Sequence, residues 1–290
     1  MHIADPPFTN AAASNAGWRA HLALEYAQRD QAGRARTVLA RRRHDGPLVV
    51  QKALYPEGDA VCHNIIVHPP AGIAGGDSLE VDVRVGEAAH ALLTTPGAAK
   101  WYRSAGAWAR QYNHFVVATG ACLEYLPQET IVYDGALAQP DTEVQLAPGA
   151  SYIGWDVLCL GRSGSGERFT RGQCHASVRV SRGGKPLWLE RARIDAGGLL
   201  MQSAAGLSGN SVCGTLIAVT ENPEALDLNA CRAVTAKSGD TAVTRLPGLL
   251  VARYLGHSSE AAKSYFVALW QLLRPVLMGR PAIVPRIWNT

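Results

Sequence analysis

The sequence predicts a mainly β fold in one domain spanning residues 1–290, with stacked β-hairpins in a β-helix-like or sandwich-like arrangement and about two α-helices toward the C-terminus. Three observations predict it. Apolar and polar residues alternate strictly in short runs such as Val81-Asp82-Val83-Arg84-Val85, the period of a half-buried strand. These runs come in pairs around a glycine, at Gly86, Gly120, Gly149 and Gly183-Gly184, so that similar units recur every thirty or so residues and can bury one another by stacking. Helical patterning is confined to the last third. With 290 residues, 47% of them hydrophobic and 18% charged, the chain is large enough to bury a substantial core.

Residues 1–17 lack a basic stretch followed by an apolar one and read as a flexible segment without a targeting signal. Arg41-Arg42-Arg43, between Arg36 and His44, forms a local basic cluster that reads as a solvated edge, since a net charge of +4 is too small to imply nucleic acid. Cys62 to Val67 is an apolar strand stopped by Pro69-Pro70, and Gly72, Gly75 and Gly76 then turn the chain to present Asp77. The paired runs are Val81–Val85 with Ala89–Leu93, His114–Val117 with Cys122–Leu126, Val144–Leu146 with Tyr152–Trp155, and a fourth pair around Gly183-Gly184. A weaker helix is expected over Glu224–Ala236. The best helical segment starts after Ser258, runs through Leu273 and stops before Pro275, leaving 275–290 as a proline-rich C-terminal arm that ends near Trp288.

Several chemistries are excluded. Gly161-Arg162-Ser163-Gly164-Ser165-Gly166 has the glycines of a phosphate loop, but Glu167 and Arg168 replace its Lys and Ser or Thr. The same stretch fails as an esterase elbow, because Ser165 stands where the second glycine belongs. Glu124 and Glu129 are spaced as a possible acid pair, though such pairs arise by chance among 24 acidic residues. The six cysteines are dispersed and form no disulfide framework or metal clamp, and Cys62 and His63 point to opposite faces of a strand. No apolar run reaches the roughly 18 residues that span a bilayer. The expectation is a cytoplasmic protein that is not an enzyme and engages neither membrane nor nucleic acid.

What remains is a series of dense polar motifs. Thr94-Thr95-Pro96-Gly97-Ala98-Ala99-Lys100-Trp101-Tyr102-Arg103-Ser104 is followed by Leu126-Pro127-Gln128-Glu129-Thr130-Ile131, by the segment from Gly161 to Phe169, by Ala252-Arg253-Tyr254-Leu255-Gly256 and by Pro285-Arg286-Ile287-Trp288. In this order, after Pro-Pro and Gly-Gly-Asp, they closely resemble the urease accessory protein UreD family, also called UreH, from Gly46 to Thr290. Ala71 departs from the pattern, since the family usually has a second glycine after the prolines.

That resemblance implies a urease maturation factor, mostly β with a pair of helices. It implies a non-enzymatic scaffold that binds apo-urease on one side and a UreF-type protein on the other, with a UreG-type GTPase recruited through the latter. It also implies no tightly bound cofactor and a transient nickel(II) cargo passed through an internal channel. Isolated carboxylates release such an ion where clustered His and Cys would trap it. The candidate channel groups are Asp77, Glu129, Asp156 and Glu167, with Arg162 holding a carboxylate and His63 and His68 as a loading point. A capping or ion-pairing role stands beside each of them. Tyr265, Phe266, Trp270, Arg286 and Trp288 are the candidate partner-binding residues.

Overall fold

The computed structural model describes residues 17–31 and 33–289, so the N-terminal segment expected to be flexible lies, but for Gly17, outside the described residues. One sheet contains β1 (Arg19–Gln31), β2 (Arg34–Asp45), β5 (Ser78–Val85), β8 (Ala109–Val117), β11 (Leu137–Leu146), β13 (Gln173–Arg182) and β14 (Lys185–Asp195), in the order β14-β13-β11-β8-β5-β1-β2. The second contains β3 (Val49–Val50), β4 (Val61–Val67), β6 (His90–Thr94), β9 (Cys122–Leu126), β12 (Ser151–Leu160), β15 (Val212–Val219), β16 (Asp240–Leu246) and β17 (Leu249–Gly256), in the order β16-β17-β15-β12-β9-β6-β4-β3. Two short strands, β7 (Ala99–Trp101) and β10 (Thr130–Val132), run parallel to each other and join the second sheet at β12.

The mainly β, stacked architecture matches the sequence-based expectation, but three of the four units are not hairpins. β5, β8 and β11 pair in parallel in the first sheet, while β6, β9 and β12 pair in parallel in the second. Each glycine turn therefore carries the chain across from one sheet to the other, and successive coils stack as in a β-helix. The turns repeat one geometry. Ala89 N–H donates to Gly86 O (3.1 Å), Ala121 to Ala118 (3.1 Å) and Ala150 to Ala147 (3.2 Å), and the turns are stitched together by Cys122 N–H to Ala89 O and Ser151 N–H to Ala121 O, both 2.9 Å. Of the four units, the one at Gly183-Gly184 closes an antiparallel hairpin, between β13 and β14. Period-two alternation is common to both connections, and the choice is made by strands some thirty residues away.

Residues of alternating parity build two cores. Leu24, Val83, Phe115 and Val144 of the first sheet meet Leu93, Tyr125, Tyr152 and Ile217 of the second. Ile153, Trp155, Val157 and Leu216, on the opposite face of the second sheet, pack beneath α3 (Ser259–Met278). Ser258 caps this helix by accepting from Ala261 N–H (3.1 Å). Contrary to expectation the helix does not stop before Pro275. Pro275 and Gln271 are exposed, so water can serve the carbonyl that loses its donor, and one further turn forms before Gly279 ends the helix at φ 66°. The weaker helix is shorter than expected, with a 3-10 turn at Pro223–Ala225 and then α2 (Leu228–Ala233), while α1 (Leu199–Gln202) is an additional single turn. No helix of the described residues is long and apolar enough to cross a membrane.

Arg274, buried to zero exposure, joins α3 to the sheet. Its Nε lies 2.9 Å from Glu124 Oε2 on β9 and its Nη2 lies 2.8 Å from Glu57 Oε1, and the guanidinium also donates to the carbonyl of Pro281 in the C-terminal arm. His90 reaches Glu124 Oε1 at 2.7 Å, His63 reaches Glu57 at 2.5 Å, and Trp270 Nε1 donates to Glu124 Oε2 at 2.6 Å. Burial alone would raise the Glu124 pKa, but the His90 hydrogen bond and the Arg274 charge hold it below the usual range. For Glu57 the same opposition, with His63 and Arg274 prevailing, lowers it to about 2. Glu124→Ala is expected to cost about 3–5 kcal/mol in urea unfolding, because it strands a buried guanidinium and an indole N–H. A loss below about 1 kcal/mol would show that the cluster does not clamp the helix.

Candidate functional site

Between the sheets, at the end opposite the glycine turns, the packed core gives way to a cavity of about 420 Å³. Its walls are β5, β8, β11 and β13 on one side and β12 and β15 on the other, and its rim is formed by segments that stood out in the sequence: His68–Ile73, Thr95–Trp101 and Pro127–Thr130. The glycines of the first rim segment and of the turn that follows it serve two different needs. Only Gly76 has a left-handed backbone, φ 97°, whereas a Cβ on Gly72 would lie 2.1 Å from the Tyr102 ring and one on Gly75 would lie 2.4 Å from Ser104 Oγ. Ala71 is itself left-handed at φ 63°, in a turn closed by its N–H to His68 O (2.9 Å).

The polar lining is ordered by the sheets. On the first sheet Gln111 Nε2 donates to Asn113 Oδ1 and Asn113 Nδ2 to Thr142 Oγ1, both at 3.1 Å. Opposite, Asp156, Thr215 and Arg253 are cross-strand neighbours, and Arg253 Nη1 donates to Thr215 Oγ1 at 3.0 Å while pairing with Glu190 on β14. Arg253 and Glu190 thus tie the two sheets together beside the cavity. Glu190 Oε2 is buried without a hydrogen-bond partner.

Asp156 is the one exposed residue in the otherwise buried run of β12. It nevertheless projects, by strand parity, between the sheets, and burial is the largest influence on its carboxyl, pushing the pKa up to about 7 with Glu190 adding and Arg253 opposing. Accessibility and enclosure are compatible only if the accessible space is internal. Asp156 is the only carboxylate and His68 the only imidazole among the described lining residues, and no thiol joins them.

The remaining candidates, His68 apart, lie elsewhere. Asp77 is buried and spends both oxygens on backbone, Oδ1 accepting from Trp18 N–H and Oδ2 from Ala74 N–H, each at 2.8 Å. Glu129 lies on the α3 side of the second sheet, where its charge acts on Cys159 and Lys263. Arg162 does hold a carboxylate: its Nη2 is 2.7 Å from Glu167 Oε2, the hydrogen bond lowers the Glu167 pKa, and Glu167 Oε1 accepts from Asp134 N–H at 3.1 Å in a surface loop. His63 belongs to the Arg274 cluster. His68 Nε2 is enclosed without a partner, and burial lowers the His68 pKa against the opposing charge of Asp77. Among the described residues no three His, Cys, Asp or Glu side chains are placed to hold a metal ion.

Of the expected partner-binding residues, Tyr265, Phe266 and Trp270 are buried against the second sheet. The apolar residues that α3 shows outward are Leu272 and Val276. Trp288 folds back, its Nε1 donating to Thr94 Oγ1 at 2.7 Å and its ring 5.7 Å from that of Trp155, while Arg286 is exposed. Sequence reasoning missed Arg253, Glu190, Glu57 and Arg274. The available signal was a charge inside an apolar run, as in Leu272-Leu273-Arg274 and Leu187-Trp188-Leu189-Glu190.

Two measurements follow. Because the Asp156 pKa is raised in the folded state, its penalty is absent below about pH 4 and grows until about pH 7. Asp156→Asn should therefore match the parent in stability near pH 4 and exceed it near pH 8 by about 1–2 kcal/mol, a discounted value because water reaches the group; equal melting shifts at both pH values would refute an enclosed carboxylate. Ala71→Gly should stabilise the fold by about 0.5–1 kcal/mol by removing left-handed strain, read as a higher urea midpoint with unchanged slope.

The model of the family described as UreD urease accessory protein matches residues 19–289. A urease accessory protein UreD from Azoarcus sp. (strain BH72) is 55% identical over 278 residues, covering 96% of both chains. One from Dechloromonas aromatica is 53% identical over 277 residues, covering 94% of this chain and 95% of the relative, and one from Pseudomonas aeruginosa is 50% identical over 274 residues with the same coverage.

Proposed function

This chain belongs to the UreD urease accessory protein family, and from that premise we propose that it serves urease maturation as a non-catalytic scaffold that bridges apo-urease to UreF-type and, through it, UreG-type proteins while nickel(II) passes through its interior. The observation that carries this reading is Asp156, an accessible carboxylate inside the molecule, in a cavity with one imidazole and no thiol. Nickel is cargo here and must be released. A lone carboxylate among amide and hydroxyl oxygens holds a divalent ion loosely, whereas several imidazoles or thiolates would retain it. A carboxyl that titrates near neutral pH, as burial and Glu190 make this one do, favours exchange further, because a proton competes for the same oxygens.

Scaffolding is supported by how the polar motifs are used. Asp77, Arg162 with Glu167, and Trp288 fix loops and termini to the β stack, so the surfaces offered to partners are held in place. On α3 the surface open to a UreF-type partner is Leu272 and Val276, with Arg286 nearby in sequence on the arm.

The deciding experiment is urease activation in cells carrying Asp156→Asn, with co-purification of the accessory complex measured in parallel. The conduit reading expects activation to fall at least about tenfold at limiting nickel with the complex intact, and to recover partly as nickel is raised. Full activation at limiting nickel by a variant that still assembles would overturn it.

A further inference from the structure

β2 carries five arginines and one aspartate, a formal charge of +4, which is also the formal charge of the whole chain. The rest of the protein is therefore balanced, and its entire excess of positive charge sits on one strand at the edge of the seven-stranded sheet. The two halves of the strand differ. Near Thr37 the edge is covered: Thr37 N–H donates to Asp59 O (2.9 Å), its hydroxyl donates to Ala60 O (2.8 Å), and Arg36 pairs with Asp59 (3.4 Å). A bulge opposite Glu25 and Tyr26 then shifts the register, and beyond it Arg41, Arg42, Arg43, His44 and Asp45 pair with β1 on one side only. Arg41 approaches Glu25 at 3.7 Å, while Arg42 and Arg43 are exposed and have no ion-pair partner among the described residues.

We propose that the edge Arg41–Asp45 is a docking site for an extended acidic segment of a partner protein, which adds to the sheet as an eighth strand. N–H and C=O groups of this edge that have no strand partner among the described residues supply main-chain hydrogen bonds to such a strand, and side chains alternating across it place arginine on both faces, where acidic residues of an added strand would meet them. A second copy of this chain is the wrong occupant, because it would bring arginine against arginine. The inference does not depend on the cavity or on nickel.

The test uses the purified full chain, an alternating Glu and Val peptide as the probe, and a short DNA duplex and phosphatidylserine vesicles as competitors for the same charge. The peptide is expected to bind, to weaken about tenfold both at high salt and in Arg42→Glu/Arg43→Glu, and to slow amide hydrogen exchange within Arg41–Asp45. Arg42→Gln/Arg43→Gln, with an unchanged melting temperature, serves if charge reversal perturbs folding, and should show an intermediate loss. No peptide binding, binding without protection of those amides, or equal or tighter binding of the duplex or vesicles by the same arginines would overturn the proposal.

Discussion

Arg274 holds α3, the loop of Glu57, strand β9 and the C-terminal arm in one place, and it does so as an ion without solvent. A buried guanidinium is tolerable only when its donors are met, and here two carboxylates and a carbonyl meet them. The carboxylates are in turn fixed by His63, His90 and Trp270. Around this cluster the apolar residues of α3 pack with Trp270 against Trp155 and with Trp288 beside both rings. Hydrophobic burial supplies the larger share of the energy, but it is directionless, and the ionic cluster selects the register of the helix on the sheet.

The two ends of the stacked coils have opposite characters. At the glycine turns the inward residues are large and apolar and the sheets are in contact through Phe115, Tyr125 and Tyr152. At the other end Asn113, Thr142, Thr215 and Asp156 replace them, and the sheets are held apart around the cavity while Arg253 and Glu190 span the gap beside it. A packed half lets the molecule sustain an unpacked half. In this arrangement the walls of the cavity are paired strands, so the ladders hold them in place, while the segments around Ala71, Gly97 and Gln128 form its rim.

Much of this was legible in the sequence, though unevenly. Alternation located the strands because burial on one face imposes a period of two, and Ser258 marked the start of α3 because a helix needs a cap. Alternation is silent on the partner of a strand, so β5 and β6 read as a hairpin when each pairs with strands of other coils. Asp156 was legible as a carboxylate inside an apolar run, and it is the acidic candidate that reached the cavity. Asp77 and Glu167 were conspicuous for the turns they cap, which attract carboxylates for reasons of backbone geometry. Glu124 and Arg274 lie 150 residues apart, and no local pattern announces such a pair.

The identical turns at Ala89, Ala121 and Ala150 make the molecule modular along its stacking axis. The cavity is walled on one side by β5, β8, β11 and β13, four adjacent strands, so it extends about 14 Å in three strand spacings. Its length is therefore quantised: a deletion or duplication of one entire coil would shorten or lengthen the cavity by a single increment of about 4.8 Å while preserving the pleat on every remaining wall. Gain or loss of a few residues within a turn has no such neutral outcome, since it would break the stitching between coils.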